Sequence, residues 1–312
     1  MTIKRGDPSM RPIAQTDERV KVDNGTLAQL RCGVFEVGHL AAAVEFFRRN
    51  GFAVLRGLWA EREFDLLDDA CSTAQGRLAR GELDKRYGTR AGFDPTDERD
   101  SIAGGEYIPN YVLHVTEVDP VIREAVLHPV LLGLLNTWLA QPWLLEGGLF
   151  GVVLQHARSG PDSNYSRIGW HSDWQSGPHL DRWPSVAFTV HLDPTSPANG
   201  FLRVVPGSHL WATPAPASTG DGAALPAGSR SHGGHGEQPP PYPMPPGFER
   251  IPDEYPVFCE RGDVLFHDAY LWHSAARGTD DDASRRHVRG GWFSGVPDQA
   301  GRPEDFVKNA RR

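Results

Sequence analysis

The sequence predicts an α+β fold, helical in its first half and an antiparallel barrel or sandwich in its second. Two patterns predict it. Apolar residues recur at helical spacing up to about residue 140, and from residue 144 onward short alternating strands are separated by Gly, Pro and Asn. At 312 residues the chain can bury one large core, so a single domain with elaborations is expected.

The elements follow in order. Residues 1–34 form a polar N-terminal extension broken by Pro8 and Pro12, and residues 35–143 form the mainly helical flank. Leu40, Ala43, Val44 and Phe47 mark one face of a helix that stops at Asn50-Gly51, where glycine takes a left-handed cap. Phe52 to Arg56 reads as a short strand. Glu61 to Arg80 reads as a second helix that buries Phe64, Leu67, Ala70 and Cys71, and Asp119 to Leu139 as a third. Residues 144–296 hold the strands. In one of them Val186, Phe188, Val190 and Leu192 fill one face while Thr189 and His191 line the other. Residues 212–250, with 9 prolines and 7 glycines, form a long insertion loop, of the kind that serves as a lid or as a mobile connection.

Charge and composition narrow the function. The net charge is −8 and the pI about 5.9, and no basic cluster exceeds Arg285-Arg286. That argues against nucleic acid and anionic membranes as partners and favours a small-molecule substrate; homo-oligomerisation is compatible with it. The N-terminus has no apolar segment and no run of 18 apolar residues occurs, so a soluble, cytoplasmic protein is expected. Cys32, Cys71 and Cys259 are odd in number and widely spaced, and are expected to be reduced thiols.

The chemistry concentrates in Trp170-His171-Ser172-Asp173-Trp174. A histidine and a carboxylate two residues apart can point to one side of a strand and share a metal. A second histidine, His273, ends the run Gly262-Asp263-Val264-Leu265-Phe266-His267-Asp268-Ala269-Tyr270-Leu271-Trp272-His273. Two histidines and one carboxylate leave open coordination positions, which suits a non-heme Fe(II) oxygenase. Two other His-x-Asp pairs compete. His179/Asp181 lies among turn residues and reads as a solvated loop, and the bland account of His191 in His191/Asp193 is a polar barrel lining. His232 and His235 flank Gly233-Gly234 with no rigid element to hold them.

At Pro197-Ala198-Asn199-Gly200-Phe201-Leu202-Arg203-Val204-Val205-Pro206-Gly207-Ser208-His209 the chain resembles the phytanoyl-CoA dioxygenase (PhyH-like) family of Fe(II)/2-oxoglutarate-dependent oxygenases. The likeness lies in the joint order of a His-x-Asp, this Asn-Gly turn with its strand and Pro-Gly-Ser-His, and a Gly-Asp-Val-x-x-Phe strand leading to histidine. It runs from about Phe35 to Ser294, including Arg49 to Arg56 and Leu127-His128-Pro129-Val130-Leu131.

The resemblance implies a double-stranded β-helix (jelly-roll, cupin-like) core, and it selects His171, Asp173 and His273 as Fe(II) ligands. It further implies 2-oxoglutarate and O2 as co-substrates, and hydroxylation of an unactivated C–H bond. Relatives that halogenate replace the acid with Ala or Gly, so the intact Asp173 favours oxygen chemistry. The family carries a co-substrate arginine about a dozen residues after the second histidine. Arg285 lies 12 residues on, Arg289 shares its strand parity, and Arg286 shares parity with Val288 and Trp292. Gln155 and Thr189 are further co-substrate candidates. Trp170, Trp174 and Trp272 bracket the ligands and either seal the metal, stack on substrate or pack the core. A free small molecule, of the specialised-metabolite kind, is the expected substrate. The competing classes are a cupin-like isomerase or hydrolase that does not use 2-oxoglutarate, and a non-catalytic binding relative.

Overall fold

The computed structural model describes residues 33–88, 101–102, 106–107, 109–140, 143–145, 151–158, 167–179, 184–218 and 222–294. Strand β1 (Val34–Glu36) runs parallel to β2 (Phe52–Arg56), and helix α1 (Leu40–Asn50) connects them. As expected, α1 ends on Gly51. Its φ of 78° is left-handed, and its N–H returns to the Phe47 carbonyl at 2.7 Å. Helix α2 (Glu61–Ala79) buries Phe64, Leu67, Ala70 and Cys71.

A short hairpin, β3 (Ser101–Ile102) and β4 (Glu106–Tyr107), and strand β5 (Tyr111–Val112) lead to three helices, α3 (Val115–Val118), α4 (Pro120–Val126) and α5 (Pro129–Leu139). The single helix expected from Asp119 to Leu139 is therefore two. The break is at His128, which precedes Pro129 and is held extended (φ −55°, ψ 134°), because the proline ring crowds an α-helical residue before it. His128 then caps the new helix, its Nδ1 accepting from Val130 N–H at 3.3 Å.

The strand-rich half contains β6 (Trp143–Leu145), β7 (Val153–Arg158), β8 (Pro184–His191), β9 (Leu202–Val204), β10 (Thr213–Pro214), β11 (His232–Gly233), β12 (Tyr255–Val257), β13 (Val264–Asp268), β14 (His273–Ala275) and β15 (Ser284–Ser294). The main sheet has the order β1-β2-β13-β8-β15-β7-β5, with β6 on the far end of β15. A second sheet has the order β12-β9-β14. The architecture is a jelly roll flanked by N-terminal helices.

The two faces of the main sheet have opposite characters, because side chains alternate along each strand. Val186, Phe188 and Val190 of β8, Phe266 of β13 and Val288 and Trp292 of β15 belong to the large apolar core shared with the helices. Trp138 of α5 stacks on Phe47 at 4.3 Å and meets Phe266 at 5.0 Å. The opposite face carries His267, Thr189, His191, Arg285, His287, Arg289 and Gln155, and this polar face lines the interior of the roll.

Within 212–250 the regular structure among the described residues is the β10–β11 pair. The segment is nonetheless anchored. Gly233 lies so close to Trp174 that an added Cβ would come within 2.5 Å of the indole. His235 Nε2 lies 2.7 Å from Asp268 Oδ2. The sequence offers no rigid element to hold this histidine; the structure supplies one, the end of β13. Cys71 and Cys259 are buried free thiols, and Cys32 lies outside the described residues. No described helix is long and apolar enough to cross a membrane.

Candidate metal centre

His171 and His273 are joined backbone to backbone. Each N–H donates to the other's carbonyl, at 3.0 and 2.8 Å, and the rings lie 4.1 Å apart. Asp173 does not alternate with His171 along a strand as the spacing suggested. The chain leaves the sheet at Ser172 and enters a 3-10 turn, Asp173–Ser176, braced by Gln175 Oε1 accepting from the Ser172 N–H at 3.1 Å. That turn swings the carboxylate back to the imidazoles. Asp173 Oδ1 lies 3.8 Å from His171 Nε2 and 3.6 Å from His273 Nε2, and the three donor atoms lie within 4.8 Å of one another.

These residues fit a divalent metal. Two donors each about 2.1 Å from one ion lie no more than about 4.2 Å apart, and the two imidazole–carboxylate separations fall inside that bound. The other ring nitrogens are already used: His171 Nδ1–H donates to the Gly169 carbonyl at 2.8 Å and His273 Nδ1–H to the Leu271 carbonyl at 2.9 Å. That fixes the tautomer with a lone pair on each Nε2, directed at the common point. Burial lowers both imidazoles to about 4, so they are neutral at physiological pH, as metal ligands must be. For Asp173, burial pushes the carboxyl upward, but the facing His273, His267 and His171 and the more distant Arg289 hold it below its ordinary range. Imidazoles give that support only when protonated. At neutral pH the carboxylate's charge is met by Arg289 and by whatever cation the site binds.

Behind the triad lies a polar network. Gln155 Oε1 accepts from Arg289 Nε at 2.7 Å and from His287 Nε2 at 3.0 Å, and its amide donates to the Tyr111 hydroxyl at 3.1 Å. Thr189 sits opposite Arg289 in register. Arg285 is buried and donates to the Asn199 carbonyl at the Asn-Gly turn. Arg286 emerges on the helix side and pairs with Asp193 and Asp68, which occupies the acid of the third His-x-Asp. His191 lines the interior as expected, and neither of its buried ring nitrogens has a partner among the described residues. Asp181 lies outside the described residues.

The three tryptophans are packed. Trp170 and Trp272 share a small apolar cluster with Val205, their indole N–H groups donating to the Glu249 carbonyl at 2.8 Å and to Thr213 Oγ1 at 2.7 Å. Trp174 is buried under Gly233. Sequence reasoning missed His267, whose Nδ1 lies 3.8 Å from Asp173 Oδ2. Its signal was parity: on β13 it alternates with the core residue Phe266.

A jelly roll whose interior brings two histidines and one aspartate together has the donor set of the non-heme Fe(II) oxygenases. The family model for phytanoyl-CoA dioxygenase (PhyH) matches residues 47–287, and the chain belongs to that family. No curated protein sequence matches it. Solved structures with the same fold include EctD from S. alaskensis with 2-oxoglutarate and 5-hydroxyectoine, at 16% identity over 84% of this chain and 78% of that one, TM-score 0.55. The α-ketoglutarate-dependent epimerase SnoN from nogalamycin biosynthesis is similar at 19% identity over 85% and 87%, TM-score 0.53. The carbocyclase SnoK from the same biosynthesis is similar at 19% over 84% and 87%, TM-score 0.53.

Proposed function

We propose that the protein is a cytoplasmic dioxygenase that hydroxylates an unactivated C–H bond of a free small molecule, with His171, Asp173 and His273 as iron ligands. The direction of the two imidazoles supports this most directly, since both Nδ1 atoms are tied to backbone and both Nε2 atoms face Asp173 Oδ1. When bound, Fe(II) with 2-oxoglutarate and O2 supplies the oxidising power, the 2-oxo acid leaving as succinate and CO2.

The protein's own residues position and enclose. Two neutral histidines and one carboxylate would hold the ion and would leave part of its coordination shell for the co-substrates. Arg285, on the interior face of β15, receives the far carboxylate, where a planar, permanently charged guanidinium is the best partner. Arg289, oriented by Gln155, contributes positive charge between that end and the triad, and Thr189 lines the path. Trp174 and the segment packed on it keep bulk water from one side of the centre. A small-molecule substrate, a specialised metabolite, agrees with the net negative charge of the chain and with structures of this fold drawn from nogalamycin biosynthesis.

The test is anaerobic addition of Fe(II) and then 2-oxoglutarate, watching for the weak visible band that arises when a 2-oxo acid chelates ferrous iron. The band is expected in the wild type, absent in His171→Ala and weakened in Arg285→Ala. Metal binding without any such band would remove the oxygenase reading in favour of a cupin-like metalloenzyme.

A further inference from the structure

Asp173 has two carboxylate oxygens and they face different things. Oδ1 faces the two ligand imidazoles, at 3.6 and 3.8 Å. Oδ2 faces a third imidazole, His267, whose Nδ1 is 3.8 Å away. His267 is buried on the interior face of β13, with its ring 4.5 Å from that of His273. It does not belong to the group of three donors. We propose that His267 is a positioning residue: its Nδ1–H holds the outer oxygen of Asp173, so that the carboxylate presents a single oxygen to the metal.

The tautomer follows from the neighbours. Two atoms face Nδ1, the Asp268 carbonyl oxygen at 3.4 Å and Asp173 Oδ2 at 3.8 Å, and both accept only. Nδ1 therefore carries the hydrogen. The carbonyl contact is too long to satisfy it, and closing the carboxylate gap by about 0.8–1 Å brings Oδ2 into normal N–H···O range. Ligating carboxylates are commonly held in this way by a donor beyond the ligands, and losing such a partner typically costs about 10–100-fold in metal affinity. A phenylalanine at this position would fill the same space between Leu265 and the triad and offer no donor. The choice of histidine over an apolar ring on a face beside the ligands is what the inference explains. It rests on the assignment of the three ligands given above.

The experiment is anaerobic titration of the metal-free protein with Co(II), reading the dissociation constant and the ligand-field absorption of the bound ion. Wild type, His267→Phe, His267→Asn and His267→Gln are compared, with the unfolding midpoint of each metal-free variant measured alongside. The asparagine amide nitrogen takes the position of Nδ1, and the glutamine amide reaches toward that of Nε2. His267→Phe is expected to weaken Co(II) binding by about 10–100-fold and shift the absorption; His267→Asn restores both to near wild type; His267→Gln does not. Wild-type affinity and spectrum in His267→Phe overturns the proposal, and so does equal weakening in Phe and Asn variants of unchanged stability. Failure of the wild type itself to bind Co(II), or binding unaffected by His171→Ala, instead removes the ligand assignment on which the proposal stands.

Discussion

Arg286 grips Asp193 with two guanidinium nitrogens, Nη2 to Oδ1 at 2.8 Å and Nε to Oδ2 at 3.1 Å, on the face of the main sheet that turns away from the metal centre. Its Nη1 reaches Asp68 of α2 at 2.7 Å. Of three arginines within five residues, this one ties a helix to the sheet. Arg286→Ala strands two half-buried carboxylates and is expected to cost about 2–3 kcal/mol of stability. The band given by iron and 2-oxoglutarate should be unchanged. Denaturant unfolding and the band, measured on one preparation, check both halves.

The turn at Asn199-Gly200 makes the opposite prediction for Arg285. Gly200 has a φ of +85°, and an added Cβ would meet the Arg285 guanidinium and come within 2.6 Å of the Ala276 carbonyl oxygen. Gly200→Ala is expected to lose about 1–3 kcal/mol from backbone strain and overpacking. It should also raise the 2-oxoglutarate concentration needed for half-maximal band intensity, because the guanidinium must move. An unchanged requirement for 2-oxoglutarate would separate Arg285 from the co-substrate.

Acid should weaken the metal-free protein through its buried imidazoles. Burial holds His171, His273 and His156 down to about 4 and His191 to about 3, whereas the unfolded chain titrates near 6.5. As pH falls, the unfolded state takes up protons first. The four histidines therefore leave stability untouched well above pH 6.5 and withdraw it between there and about 4, each by up to about 1.4 kcal/mol per pH unit. Urea unfolding from pH 7.5 to 5 reads this slope, and a flat profile would contradict it.

The His235–Asp268 contact has the reverse sign. Its hydrogen bond to Asp268 raises the His235 imidazole above its ordinary value, so its contribution is complete below the unfolded value and is lost as pH rises through the folded one. Limited proteolysis should cut within 212–250 faster as pH is raised from 6 to 9. In His235→Ala the segment should be cut fast throughout.

Much of this was legible in the chain, for identifiable reasons. Helix α1 announced itself through Leu40, Ala43, Val44 and Phe47 and its Gly51 stop, because both signals are local. The convergence of His171, Asp173 and His273 came from the joint order of four pieces of sequence. The break at His128 was written in Pro129 and outweighed by the apolar spacing around it. The side of β13 that His267 takes was legible from its alternation with Phe266, but its place beside Asp173 was not, because that depends on which strand lies next to the triad. The His235–Asp268 contact spans 33 residues and does not follow from local spacing.

Strand β15 gives neighbouring residues opposite duties, Arg286 and Val288 toward the helices, Arg285, His287 and Arg289 toward the interior. Its length is therefore frozen. One inserted residue would exchange the two sets, sending the helix clamp into the cavity and the interior arginines into the apolar core. The loop before Ser284 carries no such constraint, and each doubling of its length costs only about 0.6 kcal/mol. Natural or engineered diversification of this enzyme can thus change the strand's letters but not their number, and must take its insertions and deletions in the loop.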